Sequence, residues 1–108
     1  MSNYADYIKE REGSRTIEDE HGFLTFKILE DCVFIQDLYI RPESRRMLYA
    51  SEYADHVTSL AKELGHDKIV TSVDLNALNA NQSLKVIMAY GFKLYYLEAN
   101  EIYLFKEI

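Results

Sequence analysis

Apolar and polar residues alternate with changing periods along this chain, and each period predicts a different element. Between residues 22 and 29 the period is two, which predicts a β-strand with one buried face. Residues 32–40 are rich in β-branched and aromatic side chains on both faces, which is typical of a central strand covered on two sides. A two-residue turn at residues 30–31 predicts that these strands form an antiparallel hairpin.

The period then lengthens to that of an α-helix. Apolar residues recur at helical spacing from Tyr53 to Leu64, and Gly65 is typical of the residue that ends a helix. Residues 68–75 predict a further strand. Because a helix separates it from the strand at residues 32–40, we expect the two strands to lie parallel in a βαβ crossover.

A second helix is predicted in the last third of the chain. Residues 76–81 are rich in Asn and predict a loop. Asn79 or Asn81 can cap the helix that we expect at residues 82–90. Gly91 follows the last residue of that helix, where a glycine favours its termination.

The remaining segments complete the predicted order ββ-α-β-α-ββ. Residues 93–98 and 102–106 predict a second hairpin, and residues 14–18 predict a short edge strand. A short helix is expected at residues 4–12. The fold class is therefore α/β (α+β), with a central mixed sheet, one parallel βαβ crossover and flanking helices.

Length, charge and cysteine content narrow the class of protein. The chain has 108 residues, of which 48% are apolar, so we expect a single domain. A net charge of −6 argues against a nucleic-acid partner, which would require clustered Lys and Arg. The single Cys32 excludes an internal disulfide and is expected to be a packed thiol. Without a signal peptide or an apolar run of membrane length, the sequence predicts a cytoplasmic protein with no membrane partner.

Metal binding is not expected. The acidic run at residues 17–22 ends in glycine and lacks the ligand spacing of a metal site, so it predicts a solvated loop. His56 falls outside the apolar stripe of its predicted helix and is expected to face solvent.

The candidate chemistry lies where the predicted strand at residues 32–40 leads through Pro42 into the helix. The first turn of an α-helix has free N–H groups and a positive dipole end, which together favour an anion such as a phosphate. Arg45 and Arg46 add positive charge to this junction. The sequence therefore predicts a phosphate-binding junction at residues 34–51.

This order of elements, with these residues at its junctions, resembles the GNAT superfamily of acyl-CoA-dependent N-acetyltransferases. The resemblance covers about residues 22–108. It rests on Leu-Tyr-Ile-Arg-Pro-Glu-Ser-Arg at residues 38–45, on the long helix that leads into a parallel strand, and on Asn-Gln-Ser-Leu-Lys-Val-Ile-Met-Ala-Tyr-Gly-Phe at residues 81–92. Compared with the family pattern, the N-terminus is shortened.

The resemblance implies acetyl-CoA as co-substrate and a set of residues that hold it. Main-chain groups at the end of the central strand would pair with the pantetheine arm, and amides of the following turn would hold the pyrophosphate. The expected cofactor-binding residues are Leu38, Tyr39, Ile40, Arg45, Arg46, Met47, Leu48, Tyr49, Ala50, Ser51, Asn81 and Ser83.

The implied reaction is direct attack of an amine on the thioester, without an acyl-enzyme and without a metal. Asp37 is the expected general base, and a hydrogen-bonded carboxylate at the strand end is its alternative role. Tyr90 is the candidate acid for the departing thiolate, with core packing beside Gly91 as its alternative role.

Three departures from the family pattern open other interpretations. Leu48 stands where the pyrophosphate loop usually has its central Gly, and Ile87 stands where a Tyr is common in the last helix. Little sequence before residue 22 could wall the acceptor site, which favours a macromolecular acceptor such as a protein, or a homodimer that completes the wall. Short versions of this fold look like those encoded by bacteriophages.

Two other functions therefore stay open beside the enzyme. The first is a catalytically inactive GNAT-like protein that acts by protein–protein interaction. The second is an α/β domain whose similarity to the family is architectural only, because a fold alone does not establish a function. The final hairpin carries Tyr95, Tyr96 and Tyr103, which could form an interface.

Overall fold

The computed structural model describes Asn3, residues 13–45 and residues 47–108. The helix expected at residues 4–12 lies outside them. Six strands and two α-helices follow one another along the described chain: β1 (Arg15–Asp19), β2 (Gly22–Ile28), β3 (Val33–Ile40), α1 (Tyr49–Glu63), β4 (Lys68–Asp74), α2 (Ala80–Tyr90), β5 (Lys93–Glu98) and β6 (Glu101–Glu107). A short 3₁₀-helix at Pro42–Ser44 precedes α1.

All six strands form one sheet in the order β1-β2-β3-β4-β6-β5. Among these described strands, β3 and β4 are the parallel pair, and each of the other neighbouring pairs is antiparallel. The predicted mixed sheet and its βαβ crossover through α1 are thus confirmed. The parallel pair stands at the centre, with a hairpin-connected unit on either side of it.

Both helices pack on the same face of this sheet. The buried residues of α1 are Tyr53, Ala54, Val57 and Ala61, and those that join the core lie against β2, β3 and β4. Ala80 of α2 and Phe92 after it belong to the same buried cluster. A hydrogen bond from Tyr90 of α2 to Asp55 of α1 joins the two helices directly.

The opposite face of the sheet carries aromatic side chains over its second half. Tyr96 and Tyr103 stack with ring centroids 4.6 Å apart, and Phe34 lies 6.5 Å from Tyr103. Two shallow grooves, with volumes of about 360 and 300 Å³, occur beside Tyr95 on this face, and one of them includes Cys32. Cys32 is buried, and burial raises the pKa of its thiol, which fits the expected packed thiol.

Element boundaries differ from the expected ones mainly at turns. The connection between β2 and β3 spans residues 29–32, where the Leu29 amide donates to the Cys32 carbonyl, rather than a two-residue turn. Helix α2 begins at Ala80, two residues before the expected start, with Asn79 in the N-cap position as one alternative predicted, although its side chain makes no capping bond. Gly91 ends α2 in the left-handed conformation, with φ of 119°, as its position in the sequence predicted.

In the described part of the chain, no helix has the length and apolar character needed to cross a membrane.

Candidate functional site

The two central strands separate halfway along their length. Parallel pairing joins Val33, Phe34 and Ile35 of β3 to Ile69, Val70 and Thr71 of β4 and then stops. The side-chain hydroxyl of Thr71 donates to the Ile35 carbonyl at 3.0 Å, at the last paired position. Beyond that point β3 continues to Ile40 and β4 to Asp74 without pairing to each other. The central sheet therefore has an opening between its two parallel strands.

The main chain of β3 alternates in direction along this opening. The Arg41 amide donates to the His21 carbonyl at 2.8 Å, so the β2–β3 ladder is hydrogen-bonded at that position. Alternation back along the antiparallel ladder turns the main-chain groups of Tyr39 toward β2 and those of Leu38 and Ile40 toward the opening. Of the three residues expected to pair with pantetheine, Leu38 and Ile40 thus present their main chain to it.

A β-bulge sets this alternation. Thr25 pairs with Asp37 while its neighbour Phe26 pairs with Ile35, so Gln36 is an extra residue on β3. The Gln36 side chain accepts a hydrogen bond from the Ser14 hydroxyl. The bulge places Asp37 on the sheet face that points away from the helices. There Asp37 is exposed to solvent and pairs with Thr25 of β2. Asp37, the expected base, therefore lies on the strand that borders the opening.

Helix α1 begins directly after the opening, and its N-terminus is uncapped. Leu48 is the N-cap residue; it makes no side-chain capping bond, and its carbonyl accepts from the Glu52 amide at 2.9 Å. An α-helix leaves the amides of its first turn, here those of Tyr49, Ala50 and Ser51, without intrahelical acceptors. Among the described residues, no hydrogen bond engages these three amides. The dipole and free donors of α1 thus suit an anion.

Leu48 itself is compatible with this geometry. Its φ of −94° lies in the range that any L-residue adopts, so the backbone there does not require glycine. The side chain is 74% exposed and Met47 before it is 62% exposed. At Leu48 the departure from the family pattern therefore adds an exposed side chain without requiring a glycine backbone, whereas the expected cofactor-binding Arg46 lies outside the described residues.

Arg45 links the end of β3 to the start of α1. Its Nε donates to the Ile40 carbonyl at 2.9 Å, and its guanidinium carbon lies 5.9 Å from the centre of the Tyr39 ring. The Ile40 carbonyl thus already accepts one hydrogen bond, and the Ile40 amide and both main-chain groups of Leu38 remain for a ligand. Arg41 instead forms an ion pair with Glu43 at 2.8 Å.

His21 organises the loop from the side, a role that the sequence pattern did not reveal. Its imidazole stacks on Tyr49 with ring centroids 3.7 Å apart, and its Nδ1 lies 3.0 Å from the Ser44 hydroxyl. Ser44 is buried in the short 3₁₀-helix. One side chain from the β1–β2 turn therefore contacts both the short 3₁₀-helix and the first residue of α1. The adjacent Gly22, which pairs with Ile40, was the available signal for that proximity.

A second bond holds α1 to the same turn. The buried Tyr53 donates its hydroxyl to the Asp19 carboxylate, which also accepts from the His21 amide at 2.8 Å. The Tyr53 hydrogen bond lowers the pKa of Asp19, whereas burial and the Asp19 carboxylate raise the pKa of Tyr53. The first turn of α1 is thus fixed relative to β1 and β2.

Tyr90 has partners on the helix side of the sheet. Its hydroxyl donates to Asp55 at 2.5 Å and lies 3.5 Å from the Thr58 hydroxyl, both on α1. The Lys106 ammonium lies 4.7 Å from the centre of its ring. Burial and the Asp55 carboxylate raise the pKa of Tyr90. The phenol therefore keeps its proton at neutral pH and directs it to α1.

Asn81 and Ser83 lie in the first turns of α2. The Ser83 amide donates to the Asn79 carbonyl at 3.0 Å, and Asn81 is exposed. Because α2 follows β4, these residues begin near the end of the strand that forms the other side of the opening. Within residues 13–45 and 47–108, no group of His, Cys, Asp and Glu side chains is arranged to hold a metal.

The comparisons agree with this geometry. Residues 4–86 match the family described as "Acetyltransferase (GNAT) family". No curated protein sequence matches the chain. Solved structures are similar in fold at low sequence identity.

Three of these structures illustrate the similarity. The PaiA N-acetyltransferase from Thermoplasma acidophilum, in complex with coenzyme A, gives a TM-score of 0.73 at 17% identity, over 82% of this chain and 54% of that one. A GNAT family acetyltransferase from Elizabethkingia anophelis with acetyl-CoA bound gives 0.73 at 13% identity, over 95% and 82%. The anti-CRISPR protein AcrVA5 gives 0.69 at 19% identity, over 83% and 96%. This chain thus spans about half the length of the first neighbour and nearly the whole of the third.

Proposed function

This chain belongs to the GNAT acetyltransferase family, and from that premise we propose that it transfers an acetyl group from acetyl-CoA to an amine acceptor. One observation carries the proposal. The parallel pairing of β3 and β4 ends at Ile35 and Thr71, and the strand that borders the resulting opening leads into the uncapped N-terminus of α1. The extended pantetheine arm would therefore meet main-chain groups of β3, and the charged pyrophosphate would meet the free amides at the start of α1.

The residues divide this binding task between them. Leu38 offers an amide and a carbonyl to the pantetheine arm, as an added strand would use them. The amides of Tyr49, Ala50 and Ser51 offer donors to the pyrophosphate at the positive end of α1. Arg45, held at the Ile40 carbonyl, adds a positive charge beside both. Solved structures of the same fold hold coenzyme A or acetyl-CoA, which supports this assignment.

The chemistry requires proton transfer at two atoms. As the amine nitrogen attacks the thioester carbonyl carbon, the nitrogen loses a proton and the C–S bond breaks to release a thiolate. Asp37 is exposed on the face opposite the helices and is the proposed acceptor of the amine proton, directly or through water. Tyr90 is committed to Asp55, so we assign the thiolate's proton to solvent in preference to Tyr90.

The transfer hypothesis is tested by binding and turnover together. Isothermal titration calorimetry with acetyl-CoA should show saturable binding, weakened by Arg45→Glu. A panel of primary amines and a lysine-containing peptide should then give acetylated product by mass spectrometry. Asp37→Asn, which keeps the shape of the side chain, should lower turnover by about 10²–10⁴-fold and leave acetyl-CoA binding intact. No saturation at millimolar acetyl-CoA contradicts the proposal.

The acceptor is proposed to be a macromolecule such as a protein. An anti-CRISPR protein that matches over 83% of this chain and 96% of its own length shares the fold, which supports a large partner over a small molecule. The net charge of −6 favours a cationic acceptor, such as a lysine side chain. A reducing cytoplasm fits the single buried Cys32, and a phage origin is proposed with it.

A catalytically inactive binding protein is the second candidate. It is favoured by the Tyr90 hydroxyl, which is hydrogen-bonded to Asp55, and by Leu48 at the N-cap of α1, where the family pattern has Gly. In that case the chain would bind a partner protein with no acetylated product, and Asp37→Asn would leave partner capture unchanged.

A further inference from the structure

Strand β5 is an unprotected edge of the sheet. All six of its residues, Lys93–Glu98, are exposed, and β6 is its neighbour on one side with no described strand on the other. Leu94 and Leu97 are 62% and 64% exposed, and two tyrosines stand between them. A free edge with apolar side chains is a surface on which another strand can pair. The other edge, β1, differs because its sequence Arg-Thr-Ile-Glu-Asp is mostly polar.

The turn at the end of β5 determines which main-chain groups reach the free edge. Ala99 and Asn100 have φ of 51° and 67°, the geometry of a type I′ turn, so Glu98 and Glu101 form the hydrogen-bonded pair that closes the hairpin. The next pair, Leu97 with Ile102, is then not hydrogen-bonded within the hairpin. The amide and carbonyl of Leu97 therefore point away from β6, toward the free edge.

A bulge gives Leu94 the same orientation as Leu97. Leu94 pairs with Leu104 and Tyr96 with Tyr103, so Tyr95 is an extra residue on β5. Counting past it, the pair of Leu94 with Leu104 is again not hydrogen-bonded, and the main chain of Leu94 also points to the free edge. Without the bulge, residues three apart would point in opposite directions. Leu104 is fully buried and Ile102 packs on the core, so both leucine side chains lie on the helix side of the sheet.

The strand is complementary to itself in this register. The sequence Lys-Leu-Tyr-Tyr-Leu-Glu, laid antiparallel on a second copy, sets Leu94 opposite Leu97, Tyr95 opposite Tyr96 and Lys93 opposite Glu98. Because the main chain of both leucines points to the free edge, each leucine of one copy can form main-chain hydrogen bonds with a leucine of the other. Within the described residues, Lys93 and Glu98 have no ion-pair partner. We propose that two copies of this chain associate through β5, in a two-fold dimer with one continuous sheet.

Three contributions support the dimer. Four leucines form an apolar cluster on the helix side, and four exposed tyrosines meet on the opposite face. Two ion pairs, Lys93 with Glu98 of the second copy and the reverse, close the ends of the paired strands. Under a two-fold axis every contact occurs twice, and pairing covers the free β5 edge of both copies.

Charge reversal tests this arrangement directly. Lys93→Glu sets two glutamates opposite each other at both ends, and Glu98→Lys does the same with two lysines. Each should weaken dimerisation about tenfold, measured as the dissociation constant by sedimentation equilibrium. The double variant K93E/E98K restores opposite charges and should return dimerisation to the original affinity. Lys85→Glu on the exposed face of α2 is the matched control, because it has the same net charge as Lys93→Glu.

Each outcome decides the proposal. A dimer that the single reversals weaken, the double variant restores and Lys85→Glu leaves unchanged supports it. A monomer at the highest soluble concentration overturns it, and so does a dimer that is indifferent to all of these changes. Circular dichroism melting of each variant establishes that loss of association is not loss of folding. The test does not depend on acetyl transfer, so its failure would leave the proposed activity standing.

Discussion

The imidazole of His21 and the phenol ring of Tyr49 stack with centroids 3.7 Å apart and planes 15° from parallel. His21 belongs to the turn between β1 and β2, whereas Tyr49 is the first residue of α1. The same imidazole reaches Ser44 through Nδ1. A residue remote in sequence therefore positions the helix end at which we expect the pyrophosphate.

Removing this contact should weaken acetyl-CoA binding, because the contact positions the helix end. In His21→Ala both the stack and the Ser44 hydrogen bond are lost, each of which contributes about 0.5–1.5 kcal/mol. We expect the dissociation constant for acetyl-CoA to rise about tenfold. His21→Phe keeps an aromatic ring over Tyr49 and should recover part of the loss. Calorimetry provides the measurement, with the exposed His56→Ala on α1 as control.

Gly22 is expected to tolerate no side chain. A Cβ at this position would lie 1.9 Å from the Tyr39 carbonyl oxygen, a main-chain atom that cannot rotate away. Gly22→Ala must therefore push β2 away from β3 beside the opening. We expect a free energy of unfolding lower by about 1–3 kcal/mol, measured by urea denaturation. Gly13→Ala is the comparison, since a Cβ there meets no atom within 4 Å, although its φ of 71° adds strain. Gly22 is not among the described glycines with positive φ, so Gly22→Ala as stable as the parent chain would contradict the close approach to Tyr39.

Acid should weaken the link between Tyr53 and Asp19. The pKa of Asp19 in the folded protein lies below its ordinary value of 3.8, chiefly because it accepts the Tyr53 hydrogen bond. A lowered folded-state pKa gives stability that is present above the unfolded value and is lost as pH falls through the folded one. Tyr53→Phe removes the bond, so its stability should fall less steeply below pH 3.8 than that of the parent chain. Thermal melts across that range test this, and parallel curves for the two proteins would contradict it.

The strands, the parallel crossover and α1 were predictable from the sequence because each rests on local periodicity. Residues 68–75 and 93–98 needed only their own pattern and the glycines that follow the helices. The ligand-binding role of the end of the central strand came from the resemblance to a family. The detailed geometry of the opening depends on the extra residue Gln36. A bulge has no periodic signal in the sequence, because Gln36 differs from a regular strand residue only in how it pairs with the neighbouring strand.

The partners of His21 and Tyr90 could not be predicted for a related reason. His21 contacts residues 23 and 28 positions away, and Tyr90 contacts Asp55 at a separation of 35. Such distances depend on how the sheet folds back on itself, so a periodic pattern carries no information about them. The acidic run at residues 17–22, which we predicted to be a solvated loop, contains the end of β1, the following turn and the first residue of β2. Its Asp19 accepts a hydrogen bond from Tyr53.

At Leu48, a substitution that caps α1 should stabilise the fold and weaken anion binding. As the N-cap of α1 it leaves the first-turn amides unengaged, and a capping side chain would use them. Leu48→Asp should therefore stabilise the fold by about 0.5–2 kcal/mol while its carboxylate competes with the pyrophosphate and repels it. We expect the dissociation constant for acetyl-CoA to rise at least about tenfold, a loss of roughly 1.4 kcal/mol of binding.

Leu48→Gly should act in the opposite direction. It removes the exposed side chain at the N-cap position and supplies an N-cap that is preferred over Leu, so acetyl-CoA should bind several-fold more tightly without a loss of stability. Leu78→Gly, at a fully exposed loop leucine, controls for the added backbone freedom. Thermal melting and calorimetry on the same samples separate the two effects. If Leu48→Asp bound acetyl-CoA as tightly as the parent chain, the amides of Tyr49, Ala50 and Ser51 would not be the pyrophosphate donors.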